Sequence, residues 1–179
     1  MSFAEKKMRH INGYRGVIVD VDVDMVRLSN DAVTVREVVS HPGGVCVAAL
    51  DENNNVTMVR QFRYPLQAEL LELPAGKLEP GEDPFSAAAR ELEEETGLTA
   101  EQWTELGFIY TSPGFSTEKL YLYLARELRQ GEAHPDENEL LKVEKYPLSE
   151  LVDRVMDGRL SDGKTVAGLL KASFYVNKD

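Results

Sequence analysis

Cysteine, long apolar runs and basic residues are all scarce in this chain of 179 residues. Its one cysteine, Cys46, cannot form an internal disulfide, and its place in the apolar run from Val45 to Leu50 predicts a small buried side chain. Nowhere do about 18 apolar residues follow one another, and the N-terminal stretch MSFAEKKMRH has no apolar core behind its positive charges. We therefore expect no membrane segment and a cytoplasmic location.

Basic residues number 20 against 31 acidic ones, which leaves a net charge of −11. Nucleic acids and anionic membranes are bound through clustered lysine and arginine, so this composition argues against both kinds of partner. The three histidines, His10, His41 and His134, have no neighbour at the spacing of metal ligands, and we assign them no chemistry. The expected partner is a small molecule.

The pattern of apolar residues predicts strands interrupted by helices. Alternation from Val17 to Asp24 predicts a strand with one mostly polar face, and Val33 to Val39 predicts a second strand. These strands belong to a predicted N-terminal β-subdomain, residues 1–42, followed by a catalytic domain, residues 43–179. In the second part we predict a mixed sheet with helices, an α/β class. Its predicted strands are 45–50, 56–62, 70–73, 106–110, 120–125 and 140–146, and its helices are 84–96, 148–157 and 165–174.

The stretch from Gly76 to Leu98, GKLEPGEDPFSAAARELEEETGL, is the most informative part of the chain. Asp83 followed by proline is typical of a helix start, and Gly97 is typical of a helix end. The stretch therefore predicts a loop followed by a helix from Pro84 to Thr96.

Two faces of this predicted helix differ in character. The apolar face is expected to contact the core, and its residues are Phe85, Ala89 and Leu92. The acidic face carries carboxylates three and four positions apart, on Glu91, Glu94 and Glu95. Like charges at this spacing cost roughly 0.2–0.5 kcal/mol per pair, and Arg90 offsets only one of them. Clustered carboxylates without His or Cys suit a hard divalent ion, Mg²⁺ or Mn²⁺, that is shared with a phosphate substrate. The alternative is a solvated acidic face.

The same stretch resembles the signature of the Nudix hydrolase family, G-x5-E-x7-R-E-U-x-E-E-x-G-U with U apolar. Every position of the signature is matched, by Gly76, Glu82, Arg90, Glu91, Leu92, Glu94, Glu95, Gly97 and Leu98. The resemblance implies an α/β/α sandwich that hydrolyses a nucleoside diphosphate linked to another moiety. Three flanking stretches resemble the ADP-ribose pyrophosphatase branch of the family, at residues 59–65, 72–75 and 112–114.

The resemblance implies a set of metal ligands at the matching positions. Glu91 and Glu95 would be the principal ligands of Mg²⁺, and the Ala75 carbonyl would add an oxygen. Glu94 would serve as a ligand or support one, and Glu139 would be a supplementary ligand.

It also implies a catalytic set that extends beyond the signature. Glu94 and Arg90 belong to this set, and we expect Arg90 to tie the helix to the loop by an ion pair with Glu82 or Glu94. In ADP-ribose-type members the general base comes from a loop outside the signature, and residues 136–139 resemble that loop. Glu137 is the predicted base and Glu139 is the alternative. An exposed acidic turn is the other interpretation of this segment.

Substrate-binding residues are expected from the flanking stretches. Arg63 and Arg60 are candidates to hold the diphosphate, since a guanidinium matches phosphate oxygens in bidentate fashion, although either could be a surface charge. Glu72, in the stretch before the signature, joins them in the predicted substrate site. Tyr14 is the candidate to stack on adenine, because related enzymes recruit a ring from the N-terminal region.

These expectations converge on a Mg²⁺-dependent hydrolase that splits ADP-ribose into AMP and ribose 5-phosphate. One alternative keeps the mechanism and changes the substrate to another nucleoside diphosphate sugar, such as GDP-mannose. Another is a Nudix fold that senses a ligand without turnover. The resemblance further implies a homodimer with exchanged N-terminal sheets.

Overall fold

The computed structural model describes residues 3–135 and 140–178, and the chain forms two compact units. One unit consists of Met1–Gly43 and Tyr110–Lys119, and the other of Gly44–Ile109 and Leu120–Asp179. A subdomain made of residues 1–42 alone stays a prediction, and sequence patterns contained no signal for the second stretch of the first unit.

The first unit is built on a three-stranded antiparallel sheet in the order β1-β2-β3. Its strands are β1 (Lys6–Arg15), β2 (Asp20–Arg27) and β3 (Val33–Ser40). The strand predicted from Val17 begins later, at Asp20, because the Gly16 N–H donates to the Val19 carbonyl (3.0 Å) and closes a turn. Strand β1 was not predicted, since all ten of its residues are exposed and its sequence therefore lacks an apolar alternation.

The stretch Tyr110–Lys119 is held to β3 within this unit. The Val39 N–H donates to the Phe115 carbonyl (2.7 Å), and the Thr117 N–H donates to the Val39 carbonyl (3.0 Å). The His41 N–H donates to the Thr117 hydroxyl (3.0 Å). Backbone pairing therefore continues beyond the three strands.

The second unit contains a seven-stranded mixed sheet in which β4 pairs with β9 in parallel and with β5 in antiparallel fashion. The path runs β10-β5-β4-β9-β8, while β6 pairs with β5 and β7 pairs with β4. Its strands are β4 (Gly44–Leu50), β5 (Asn55–Arg63), β6 (Ala68–Glu72), β7 (Ala75–Lys77), β8 (Leu98–Tyr110), β9 (Lys119–Gln130) and β10 (Leu141–Pro147). A short 3₁₀ helix, Tyr64–Leu66, joins β5 to β6.

Three helices cover the two faces of this sheet: α1 (Pro84–Thr96), α2 (Leu148–Met156) and α3 (Gly163–Val176). One face of β4, with Val45 and Val47, packs against α1 in one core cluster. The other face, with Cys46 and Leu50, packs against α2 and α3 in a second cluster. This arrangement confirms the predicted α/β/α sandwich. It also explains why the sequence of β4 is a continuous apolar run, because both faces of this strand are buried.

Two findings concern residue types that are scarce in the sequence. Cys46 is buried as predicted, and burial raises the pKa of its thiol to about 12, so the thiol stays protonated at neutral pH. Among the residues that the structure describes, none of the helices combines the length and the apolar character needed to cross a membrane.

Gly97, which ends α1, has two reasons to be glycine. Its φ is +69°, in the left-handed region, and a Cβ there would lie 2.8 Å from the Ala133 nitrogen and 2.9 Å from the Gly131 oxygen. We expect Gly97→Ala to lower the free energy of unfolding by about 2 kcal/mol or more, because backbone strain and a backbone clash add.

The matched control is Gly158→Ala, where φ is +82° but nothing lies within 4 Å of the added Cβ. That variant should lose only about 1 kcal/mol, the conformational part. Urea unfolding of both variants measures the difference, and equal losses would contradict the proposed clash.

Candidate active site

The ends of α1 are those predicted from the sequence. The Asp83 carboxylate accepts a hydrogen bond from the Ser86 N–H (3.1 Å), and Pro84 is the first helical residue. At the other end the Gly97 N–H donates to the Glu93 carbonyl (2.7 Å). The two caps therefore fix the boundaries of α1, and with them the positions of its acidic residues.

The faces of α1 differ from those predicted. Phe85 is 44% exposed and meets the rings of Trp103 and Tyr123 edge-on, whereas Glu91 and Glu95 are only 9% and 2% exposed. The other buried residues of the helix are Ala87, Ala88, Leu92 and Thr96. Leu92 is in the core as predicted, whereas Phe85 is exposed and Ala89 is half-buried, and the prediction missed that two carboxylates are buried instead.

Strand β7 lies directly against the two buried carboxylates. The Ala75 N–H donates to Glu95 Oε2 (3.0 Å). Gly76 faces Glu91 so closely that a Cβ at Gly76 would lie 1.9 Å from the carboxyl carbon of Glu91. The first glycine of the signature therefore makes room for the carboxylate of Glu91.

Arg90 joins the loop to the helix through three carboxylates. Its Nε and Nη2 donate to both oxygens of Glu82 (2.9 and 3.0 Å), and its Nη1 donates to Glu91 and Glu94 (2.9 Å each). The guanidinium holds the pKa of Glu82 at about 2, with help from the Glu79 N–H, and the same contacts raise the pKa of Arg90. The sequence predicted an ion pair of Arg90 with Glu82 or Glu94. The structure contains both of these ion pairs, and Arg90 also pairs with Glu91.

The donor chemistry at this place fits a hard divalent ion. The side-chain donors are carboxylate oxygens, two of them on nearly buried residues, with no sulfur or imidazole among them. Within residues 3–135 and 140–178, no three Asp, Glu, His or Cys side chains converge closely enough to hold an ion by themselves. Arg90 contacts both Glu91 and Glu94, so an ion bound here would share those carboxylates with Arg90.

Glu137 and Glu139, the predicted base and its alternative, lie outside the described residues. The chain that leads to them is attached to the C-terminal end of α1. The His134 N–H donates to the Glu94 carbonyl (2.9 Å), and the Gly131 N–H donates to the Gly97 carbonyl (2.7 Å).

Arg63 is held in a bidentate ion pair with Glu72. Its Nε and Nη2 donate to the two carboxylate oxygens at 2.8 and 2.7 Å. Glu72 is fully buried, and Lys164 donates a second charged hydrogen bond to it. Burial alone would raise the pKa of Glu72, but the two cations outweigh it and lower that pKa below its usual value. Sequence reasoning missed Lys164, since no local pattern links it to Glu72, 92 positions away.

Arg60 lies three positions before Arg63 on β5 and has a different carboxylate partner. It lines a pocket of about 180 Å³ together with Arg154, Arg159 and Leu160, and it forms an ion pair with Glu144 (2.9 Å). Arg60 and Arg63 are thus held by different carboxylates, and a diphosphate contact from Arg60 stays a prediction. Tyr14, in the first unit, is 64% exposed, and its stacking role also stays a prediction.

Known proteins share this sequence and this fold. A model of the NUDIX domain matches residues 40–168. A methanol dehydrogenase activator of Bacillus methanolicus is 43% identical over 92% of this chain and 90% of its own length. An ADP-ribose pyrophosphatase of Bacillus subtilis (strain 168) is 40% identical with the same two coverages. A crystal structure of an ADP compounds hydrolase has the same fold, with a TM-score of 0.82 at 23% identity over 99% of this chain and 98% of that one.

An α/β/α sandwich that carries a complete loop-helix signature defines a hydrolase class. The chain belongs to the Nudix hydrolase family. Within the family it resembles the ADP-ribose pyrophosphatase branch, whose members generally use a divalent metal ion.

Gly76→Ala tests the need for close packing of β7 on Glu91. The added Cβ must displace the Glu91 carboxylate, which is the far end of a flexible side chain, so the fold can adjust at low cost. We expect hydrolase activity to fall on the order of 10²-fold while the thermal midpoint of unfolding stays close to that of the wild type. Gly163→Ala, where nothing lies within 4 Å of the added Cβ, is the control and should keep activity. Full activity in Gly76→Ala would mean that the position of Glu91 is not required.

Proposed function

We propose that the chain is a Mg²⁺-dependent ADP-ribose pyrophosphatase that hydrolyses ADP-ribose to AMP and ribose 5-phosphate. The observation that carries the proposal is the pair of nearly buried carboxylates, Glu91 and Glu95, held against β7 within a complete Nudix signature. The choice of substrate is supported by the 40% identity to an ADP-ribose pyrophosphatase.

The metal site is proposed on α1 and β7. Glu91, Glu95 and Glu94, the Ala75 carbonyl and Glu139 would hold Mg²⁺, and Mn²⁺ suits the same donors. The chemistry that such an ion supplies when bound is neutralisation of the diphosphate oxygens and a lowered pKa of a bound water. Arg90 fixes the relative positions of the carboxylates, because one guanidinium contacts Glu82, Glu91 and Glu94.

Arg63 is the proposed contact to the diphosphate. Its Nε and Nη2 are occupied by Glu72, while in the part of the chain that the structure describes its Nη1 has no hydrogen-bond partner. The side chain is 38% exposed, so this edge is accessible to an anionic oxygen. Since Glu72 is fully buried, its proposed contribution to substrate binding is to orient Arg63.

Glu137 is the proposed general base, with Glu139 as the alternative. The segment that carries both begins two residues after His134, which is bonded to Glu94 on α1. Glu137 follows that anchor by three positions in the sequence, and a carboxylate is the type of group that can accept a proton from an attacking water. Adenine stacking by Tyr14 and a homodimer remain parts of the proposal that rest on the family resemblance.

A panel of nucleoside diphosphate sugars with Mg²⁺ tests the proposed function. We expect the highest kcat/KM for ADP-ribose, with AMP and ribose 5-phosphate as products. Glu95→Gln should lower kcat/KM by at least about 10²-fold and raise the Mg²⁺ concentration needed for half-maximal activity, because the amide keeps an oxygen donor but loses its charge. Glu93→Gln, at an exposed position of the same helix, is the matched control.

A much higher kcat/KM for GDP-mannose or another sugar would replace the substrate and leave the mechanism intact. Undiminished cleavage by Glu95→Gln would overturn the metal site. Binding of ADP-ribose without product would support a ligand-sensing module, although that role does not require a full set of carboxylates.

Glu137→Gln should lower kcat by about 10²-fold or more with little change in KM, because a base acts in the transition state and not in binding. Steady-state kinetics with ADP-ribose measure both constants, and Glu139→Gln provides the comparison. If only Glu139→Gln lowers kcat, the base is Glu139, and wild-type turnover in Glu137→Gln would remove Glu137 from the mechanism.

Activation of a dehydrogenase is a second candidate function, favoured by the 43% identity to a methanol dehydrogenase activator. Stimulation of a methanol dehydrogenase by the wild type but not by Glu95→Gln would join this role to hydrolysis. Stimulation by both proteins would favour a role in binding.

A further inference from the structure

Four charged side chains of the second unit form a continuous chain of ion pairs whose two middle members are the most buried. Arg63 pairs with Glu72, Glu72 pairs with Lys164, and Lys164 also donates to Asp162 Oδ2 (2.9 Å). Their exposed side-chain fractions are 38%, 1%, 12% and 21% in that order. Arg63 is therefore the most exposed member of the chain of charges.

We propose that Lys164 is a positioning residue of the diphosphate site, which orients Arg63 through Glu72. The proposal rests on the proposed function, since it assumes that Arg63 binds the diphosphate. Lys164 itself does not touch the substrate in this scheme.

The first support is that buried charges are a costly way to fill a core. Replacing a buried ion pair by apolar residues of similar volume often leaves a protein as stable or makes it more stable, so packing alone does not account for the buried pair of Glu72 and Lys164. Their role in fixing the Arg63 guanidinium does account for the buried charges. Glu72 accepts hydrogen bonds from both Nε and Nη2 of Arg63 only while its carboxylate stays ionised and immobile.

The second support is that Lys164 is itself rigidly anchored at the start of α3. Asp162 caps the helix and accepts hydrogen bonds from the Thr165 N–H (3.0 Å) and hydroxyl (2.6 Å). The Thr165 hydroxyl in turn accepts from the Leu73 N–H (3.0 Å). The first turn of α3 therefore contacts both the Glu72 side chain, through Lys164, and the Leu73 N–H, through Thr165. Leu73 lies two residues before Ala75, whose N–H donates to Glu95.

The charges around Glu72 indicate what the loss of Lys164 would do. With Lys164 replaced by a neutral residue, Arg63 becomes the one cation paired with Glu72, while Asp162 loses an ion-pair partner. The carboxylates of Asp162 and Glu95 also act on Arg63 through space. Arg63 would then be drawn toward this acidic group and away from a bound diphosphate.

The test compares Lys164→Met, Lys164→Arg, Arg63→Ala and the double variant Arg63→Ala/Lys164→Met with ADP-ribose as substrate. We expect Lys164→Met to raise KM about tenfold with kcat within about threefold of the wild type. Lys164→Arg keeps the positive charge and should have a KM close to that of the wild type. The double variant should have the KM of Arg63→Ala, because Lys164 acts through Arg63. Lys171→Met, which removes a lysine elsewhere on α3, is the matched control and should leave KM unchanged.

A wild-type KM in Lys164→Met, or a KM in the double variant that multiplies the two single effects, would overturn the proposal. If Lys164→Met does not fold, Glu72→Gln/Lys164→Met removes both charges, and we expect it to fold and to show the same rise in KM. A wild-type KM in that variant would also overturn the proposal. If the wild type does not cleave ADP-ribose, the proposed function fails, and the same comparison is made with the best diphosphate substrate of the panel, so the two failures are distinguishable.

Discussion

The burial of two carboxylates under strand β7 is the constraint around which the second unit is organised. Removing an ionised carboxylate from water costs several kcal/mol unless hydrogen bonds and opposite charges replace the solvent. Here the Ala75 N–H supplies one such bond to Glu95, and Arg90 supplies another to Glu91. The glycine in β7, the arginine on α1 and the helix caps are therefore parts of one solution to a single electrostatic problem.

The parts of the fold that could be predicted from the sequence are those marked by neighbouring residues, such as helix caps and apolar runs. Both ends of α1 were found because the cap at Asp83 and the glycine at the C-terminal end act on neighbouring backbone groups. Strand β4 was found because its run is apolar throughout. Strand β1 was not predicted, because both of its faces are exposed and its sequence therefore shows no alternation of apolar and polar residues. Strand β7 was not predicted, because three residues are too few to show such an alternation.

The candidate site was predictable to the extent that a signature defines it. The signature predicted the ion pairs of Arg90 and proposed the three carboxylates of α1 as ligands, but residue spacing did not show that two of these carboxylates are buried. Lys164 was beyond reach because its partner Glu72 is 92 positions distant, and a contact of that separation is created by the sheet topology alone. Charge pairs of this kind carry no local pattern, whereas caps and turns do.

The attachment of Tyr110–Lys119 to β3 has a consequence for how the chain matures on the ribosome. His41 and Thr117, which are bonded in the first unit, are 76 positions apart. At synthesis rates of about 5–20 residues per second, β3 waits roughly 4–15 s before that partner is made. During this interval the backbone of Val39 lacks the partners that Phe115 and Thr117 later supply, so this part of the β3 edge is open to pairing with another chain until Thr117 has been made.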